Sequence, residues 1–332
     1  MSVSPWLVFV ISAVIIVFVA DRLAKYGDVI AVRTNLGGLL VGTIFLAAAT
    51  SLPELITSIS AFQVDAPDLA AGNLFGSNMV NVLLLALIDL VNYQVPLMRR
   101  MAVTHALTAV LASLLMLLAV IFIIADIPAT IGWVGVDSLM IIAVYFGGMW
   151  LFRQENQMQT GSARPKVIAV EAGFPTLRRG IVGFLLSAAV LVLVVPQLVN
   201  ASTEIAELTG LGEGFVGTTL LSLVTSLPEL LAALAAVRIG AFDLAVGNLF
   251  GSSVFNMLAL GLVDFFYIDG RFLGAINPDF ALVGLLALLL TNMALLANLA
   301  RVERKILFIE FDSVAIIVTY LAGMYMLFLR NG

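Results

Sequence analysis

Thr50-Ser51-Leu52-Pro53-Glu54-Leu55 recurs unchanged as Thr225-Ser226-Leu227-Pro228-Glu229-Leu230. The recurrence belongs to a longer one. Val41 to Asn81 aligns without gaps on Val216 to Asn256 at a constant offset of 175, with 22 identities in 41 positions. Nearly half of the window has diverged, yet the polar residues Thr50, Ser51, Glu54, Asn73, Ser77 and Asn81 recur in the second copy while apolar neighbours drifted. The same offset pairs Asp89 with Asp264, Asp137-Ser138 with Asp312-Ser313, Tyr145 with Tyr320 and Gly148-Met149 with Gly323-Met324. One internal duplication therefore spans most of both halves.

The duplicated motif lies in a membrane setting. The chain is 62% hydrophobic and 11% charged, where a soluble domain carries roughly 25% charged residues. Several segments hold about 20 apolar residues, enough to cross a hydrocarbon core of roughly 30 Å. Hydropathy predicts ten helices near 4–21, 36–63, 68–91, 101–124, 131–152, 180–200, 213–238, 242–266, 280–300 and 310–329. Met1 to Ala20 lacks the basic start of a signal peptide and reads as a first span. With no cysteine, disulfides and thiolate metal sites are excluded. The single histidine, His105, falls at a helix near a membrane face, with no second histidine to join it in a metal site.

The expected fold is thus an all-α polytopic membrane protein. The polar stretch Arg153 to Arg179 divides it into a first five-helix repeat over 1–152 (motif at 41–81), a linker over 153–179, and a second repeat over 180–332 (motif at 216–256). Five is odd, so the second copy enters from the opposite side. The halves form an inverted-topology repeat whose equivalent residues meet near the midplane. Fourteen of the sixteen basic residues fall on one side, including Arg22, Lys25, Arg33, Arg99, Arg100, Arg164, Lys166, Arg238, Arg301, Arg304 and Lys305; only Arg271 and Arg330 fall on the other. The positive-inside rule makes the fourteen and the linker cytoplasmic and both termini extracytoplasmic, in the cell membrane. The opposite side carries acidic loops with Asp65, Asp68, Glu204, Glu207, Asp269 and Asp279.

Glu54 and Glu229 are the two carboxylates deep within predicted helices, the second and seventh. An ionised side chain at the bilayer centre costs roughly 2.5–3.5 kcal/mol even on lenient scales. No Lys or Arg lies inside a predicted span, so the compensating charge is a bound cation, a bound proton, or both. Pro53 and Pro228 each precede a Glu and break the helix, which should free carbonyls near Ala47 to Thr50 and Ser222 to Thr225. Thr50, Ser51, Thr225 and Ser226 add hydroxyls within one turn. Gly72-Asn73-Leu74-Phe75-Gly76-Ser77 with Asn81, repeated as Gly247 to Ser252 with Asn256, puts a Ser and an Asn on one helix face, with glycines that let helices approach closely. Carboxylate, hydroxyl, amide and carbonyl oxygens suit Ca²⁺ and Na⁺ rather than Cu⁺ or Zn²⁺.

At these residues the chain resembles the Ca²⁺/cation antiporter superfamily, and within it prokaryotic sodium/calcium exchangers. Their two repeats carry Gly-Thr-Ser-x-Pro-Glu followed by Gly-Asn-x-x-Gly-Ser. The resemblance implies ten helices, with helices 2, 3, 7 and 8 forming a core across which helices 1 and 6 slide. It implies Glu54 and Glu229 as central Ca²⁺ ligands, with backbone carbonyls of Thr50 and Thr225. Ser51, Ser77, Ser226 and Ser252 would serve flanking Na⁺ sites with the carbonyls of Ala47 and Ser222, and Asn81 and Asn256 would line the middle. Two departures from the pattern involve three positions. Ala49 and Val224 replace the signature glycine, and Asn256 stands where many prokaryotic relatives have Asp. The site then holds two formal carboxylates, balanced by one Ca²⁺, two Na⁺ or two protons.

The functional expectation is secondary Na⁺/Ca²⁺ antiport by alternating access. Its rivals are Ca²⁺/H⁺ exchange or Mn²⁺ or Mg²⁺ transport on the same fold, and, in another class, a passive cation channel. No Gly-x-Ser-x-Gly, no His-Glu-x-x-His and no histidine beside a serine appears, which argues against an enzyme. Neither an organic cofactor nor a protein or nucleic-acid partner is expected beyond the lipid bilayer.

Overall fold

The long apolar runs become helices because, in lipid, a helix satisfies every backbone donor and acceptor within one segment. The computed structural model describes residues 4–34, 46–91, 103–160, 175–300, 305–306 and 309–331. It is mostly helical. Among the described residues, eight helical spans are long and apolar enough to cross a membrane: Pro5–Arg33, Pro67–Val91, His105–Ala125, Leu177–Thr209, Glu213–Arg238, Phe242–Val263, Phe280–Leu299 and Phe311–Arg330; a shorter apolar stretch covers Val136–Phe152. The expected second span begins outside the described residues, over 36–45, as do Val41, Arg99, Arg100, Arg164, Lys166, Arg301 and Arg304.

In chain order the helices are α1 (Pro5–Arg33), α2 (46–50), α3 (Leu52–Ala61), α4 (Pro67–Val91), α5 (Val103–Ala125), α6 (Val136–Thr160) and α7 (Leu177–Thr209). Then come α8 (Glu213–Val216), a wider π-helical turn at Gly217–Leu221, α9 (Ser222–Thr225), α10 (Leu227–Arg238), α11 (Phe242–Val263), α12 (Phe272–Ala275), α13 (Phe280–Ala300) and α14 (Phe311–Asn331). Two short antiparallel hairpins interrupt them. β1 (Thr130–Ile131) pairs with β2 (Val134–Gly135), and β3 (Lys305–Ile306) with β4 (Ile309–Glu310). The hairpins stand 175 residues apart, the offset of the sequence repeat, and so do the starts of α3 and α10 and of α6 and α14.

Several helix ends differ from expectation. α1 runs to Arg33, not to about 21, so Arg22, Lys25 and Arg33 ride on its last turns. Lys25 pairs there with Asp21 at 2.6 Å, one turn back, and Arg22 lies over the Phe18 ring. Hydropathy measures the stretch in lipid, whereas the helix continues into the interface, where long basic side chains extend into water. α7 likewise runs to Thr209, so Glu204 and Glu207 are helical rather than in a loop. Gly210 then stops it in the left-handed region at φ 70°. α6 reaches Thr160, inside the expected linker, and β1–β2 replaces the expected start of that helix at 131. Gly132, at φ 68°, makes the tight turn.

α4 and α11 form the centre. They pack on each other, and each is enclosed by elements of the opposite half: α4 by α13, α14 and the 213–225 stretch, α11 by α5 and α6. α1 lies along α7, and this pair rests on the two interrupted helices. Close backbone approach places the 213–225 stretch on α4. A Cβ on Gly72 would meet the Gly214 carbonyl oxygen at 2.7 Å, and one on Gly76 the Thr218 carbonyl oxygen at 2.5 Å. Only glycine fits there. At the ends of α4 and α11, buried carboxylates tie the halves together. Asp89 accepts from Ser313 Oγ at 2.6 Å, while Asp264 accepts from the Gly135 and Phe272 amides, each at 2.7 Å. Burial pushes the Asp264 carboxyl above its ordinary range, and those two amides pull it back.

Candidate functional site

The two Thr-Ser-Leu-Pro-Glu-Leu segments interrupt their helices at the serine. Ser51 sits at φ −90°, ψ 10° between α2 and α3, and Ser226 at φ −87°, ψ 2° between α9 and α10. Each proline follows at the second position of the new helix, where its missing N–H costs nothing. The carbonyls that lose a ladder donor to proline are those four residues back, on Ala49 and Val224. Both lie within the stretches expected to come free, Ala47 to Thr50 and Ser222 to Thr225, but the first carbonyl of each stretch stays hydrogen-bonded. Ala47 O accepts from Ser51 N at 2.9 Å and Thr50 Oγ1 at 3.0 Å, and Ser222 O accepts from Ser226 N at 3.0 Å and Thr225 Oγ1 at 3.3 Å. The break falls after these carbonyls, not before them.

The breaks bring both glutamates and their neighbours into one buried cluster. Glu54 and Glu229 are 1% and 0% exposed. Each is held by the other half: Ser51 Oγ donates to Glu229 Oε1 at 2.9 Å, and Ser226 Oγ donates to Glu54 Oε1 at 3.3 Å. Ser252 Oγ adds a second bond to Glu229 Oε1 at 3.3 Å. The threonines reach across in the same way. Thr225 Oγ1 donates to Asn73 Oδ1 at 3.0 Å and lies 3.5 Å from Ser77 Oγ; Thr50 Oγ1 donates to Asn248 Oδ1 at 3.5 Å and lies 3.4 Å from Ser252 Oγ. One turn further along α4 and α11, Asn81 Nδ2 donates to Ser253 Oγ at 3.4 Å and Asn256 Nδ2 to Asn78 Oδ1 at 3.2 Å. Four contacts thus recur with the halves exchanged, each at the offset of 175.

These contacts leave over four acceptor oxygens, and also the amide nitrogens of Asn78 and Asn248, which are buried without a partner. Glu54 Oε2, Glu229 Oε2, Asn81 Oδ1 and Asn256 Oδ1 are buried with no hydrogen-bond partner. They are one carboxylate and one amide oxygen from each half. Burying an uncompensated polar group costs roughly 2–7 kcal/mol, so four together call for a positive ligand. Among the described residues no group of three or more His, Cys, Asp or Glu could hold a metal ion. A cation here is met by two carboxylates and neutral oxygens, a hard donor set.

The structure brings together ten of the twelve expected residues through side chains: Glu54, Glu229, Thr50, Thr225, Ser51, Ser226, Ser77, Ser252, Asn81 and Asn256. Ala47 and Ser222 supply backbone that orders the threonines. His105 lies apart, with Nε2 3.9 Å from Asp243 Oδ1. Four residues were missed. Asn73 and Asn248 were legible, being identical in both copies. Asn78 and Ser253 differ between copies, so identity alone passes them over. Asn73 is also a brace, since its Nδ2 donates to the Glu54 carbonyl oxygen at 3.1 Å and to Ser58 Oγ at 3.2 Å.

Comparison with known proteins adds to this geometry. The family model for the sodium/calcium exchanger protein matches residues 4–153 and 179–329. The chain is similar to the inner membrane protein YrbG of Escherichia coli (strain K12), at 31% identity over 267 residues, covering 76% of this chain and 77% of that protein. It is similar to the sodium/calcium exchanger MaX1 of Methanosarcina acetivorans, at 26% identity over 302 residues, covering 79% of this chain and 83% of that one. Among solved structures, the H⁺/Ca²⁺ exchanger CAX matches with a TM-score of 0.73 at 15% identity, covering 99% of this chain and 86% of that one. At that identity the likeness concerns the fold.

Proposed function

We propose that this chain, which belongs to the sodium/calcium exchanger protein family, extrudes Ca²⁺ against Na⁺ through one alternating-access site built on Glu54 and Glu229. Membership makes it a cation antiporter of the Ca²⁺/cation antiporter superfamily, and its apolar helices make it a multi-pass membrane protein. The single observation that carries the finer reading is the carboxylate pair. Each glutamate has one oxygen bonded to a serine of the opposite half and the other buried and unpartnered.

In the proposed cycle, the halves are inverted copies, and the exchanged contacts support a pseudo-twofold axis through the site. Glu54 and Glu229, with the backbone carbonyls of Thr50 and Thr225, bind the divalent ion. Ser51, Ser77, Ser226 and Ser252, with the carbonyls of Ala47 and Ser222, bind the monovalent ions that replace it. Asn81 and Asn256 are neutral ligands between them. The α1–α7 pair slides over the α2–α4 and α9–α11 core, opening the site to one face at a time. Two glutamates carry a charge of −2 when ionised. One Ca²⁺ or two monovalent cations neutralise it, and mutually exclusive occupancy couples the fluxes. The fourteen basic residues orient the linker to the cytoplasm and the termini outside.

A second reading keeps the fold and exchanges protons. It is favoured by the absence of a third carboxylate, since Asn256 is neutral, and by the fold shared with an H⁺/Ca²⁺ exchanger. Proteoliposomes decide between them. Ca²⁺ uptake is expected under an outward Na⁺ gradient and not under an outward proton gradient without Na⁺; the reverse result assigns protons. Uptake that needs no counter-ion on the far side would make the protein a channel instead.

A further inference from the structure

One turn from the Ser77–Thr225 contact, α4 and α11 exchange a pair of bonds. Asn256 Nδ2 of α11 donates to Asn78 Oδ1 of α4, and Asn81 Nδ2 of α4 donates to Ser253 Oγ of α11. All four residues are at most 2% exposed. The two bonds are one contact seen twice, since 81 with 253 and 256 with 78 are related by the offset of 175. An amide carries its nitrogen and oxygen on opposite arms of one carbon, so fixing the nitrogen fixes the direction of the oxygen. The oxygens thus aimed, Asn81 Oδ1 and Asn256 Oδ1, are two of the four buried acceptors without a partner. They sit on the helix faces that carry Ser77 and Ser252.

We infer that Asn78 and Ser253 are positioning residues, each tethering the amide nitrogen of an asparagine from the opposite half so that its oxygen faces the transported cation. The inference rests on the proposed reading of the Glu54–Glu229 site. The two positions differ in residue type, and each side chain carries both a donor and an acceptor. The Ser253 hydroxyl, however, donates to the Leu249 carbonyl oxygen at 3.1 Å, so what it offers Asn81 is an acceptor oxygen, as Asn78 offers Asn256. That oxygen is therefore the required feature. Without it, the partner amide is free to rotate and present its NH₂ group, a donor that repels a cation. Partners that orient a ligand of a bound metal are typically worth about 10–100-fold in affinity.

The test uses full-length protein and Ca²⁺ itself, with affinity read from ion-induced thermal stabilisation and KM and Vmax from proteoliposome uptake. Asn78→Ala is expected to weaken Ca²⁺ binding about tenfold and raise KM by a similar factor, with Vmax per folded protein within about twofold. Asn78→Ser is expected to restore wild-type affinity, and so is the exchange variant N78S/S253N. If Asn78→Ala does not fold, Ser253→Ala reads the same effect at Asn81. Wild-type affinity in both alanine variants overturns the inference, as does an Asn78→Ser variant as weak as Asn78→Ala. No Ca²⁺ stabilisation of the wild type overturns the proposed function itself.

Discussion

Ser51 and Ser226 hold the glutamates of the opposite half by one bond each, at 2.9 and 3.3 Å. A hydrogen bond to a charged acceptor contributes about 1.5–3 kcal/mol. Ser51→Ala is therefore expected to lower apparent cation affinity by about tenfold or more, measured as the Na⁺ or Ca²⁺ concentration that half-stabilises the purified protein. Ser58→Ala removes a hydroxyl that braces Asn73 rather than a glutamate, so it is expected to lower melting temperature with little change in ion affinity. At this scale the site was largely legible. Charge cost picked out Glu54 and Glu229, and survival of polar residues in a drifting repeat picked out the serines, threonines and asparagines. Asn78 and Ser253 were hidden because the acceptor oxygen each offers is carried by a different side chain.

At the scale of elements, the breaks at Ser51 and Ser226 and the contact between α4 and the 213–225 stretch shape the site. Gly76 touches backbone, which cannot rotate aside. Gly76→Ala is expected to push these segments apart, costing about 1–3 kcal/mol as overpacking does, and to reduce uptake along with melting temperature. The halves also differ. Asn73 Nδ2 is satisfied by Ser58, whereas Asn248 Nδ2 is buried without a partner, and the residue equivalent to Ser58 is Ala233. Ala233→Ser is expected to supply the missing acceptor and raise stability by about 1 kcal/mol, read as a higher melting temperature. Proline position forecast the breaks, and the carbonyls four residues before each proline, on Ala49 and Val224, lie within the stretches expected to come free, although Ala47 and Ser222 stay bonded. Hydropathy likewise placed the eight spans of the described residues without their ends: α1 and α7 run on past the apolar stretch because the interface still suits a helix with charged side chains.

For the whole molecule, the site exists only between halves. Each glutamate's serine, each threonine's asparagine and each tethered amide lies across that boundary, and Asp89 and Asp264 fasten it at the ends of α4 and α11. The repeat and the odd number of predicted spans per half anticipated this convergence, whereas side-chain pairing across the boundary needed coordinates. The central claim is that both glutamates bind the exchanged ions at one site. The direct test is ⁴⁵Ca²⁺ uptake driven by an outward Na⁺ gradient in proteoliposomes holding wild type, Glu54→Gln, Glu229→Gln or the double variant, each checked for folding. Uptake is expected in the wild type and abolished in all three variants; uptake at the wild-type rate by the folded double variant would contradict the account.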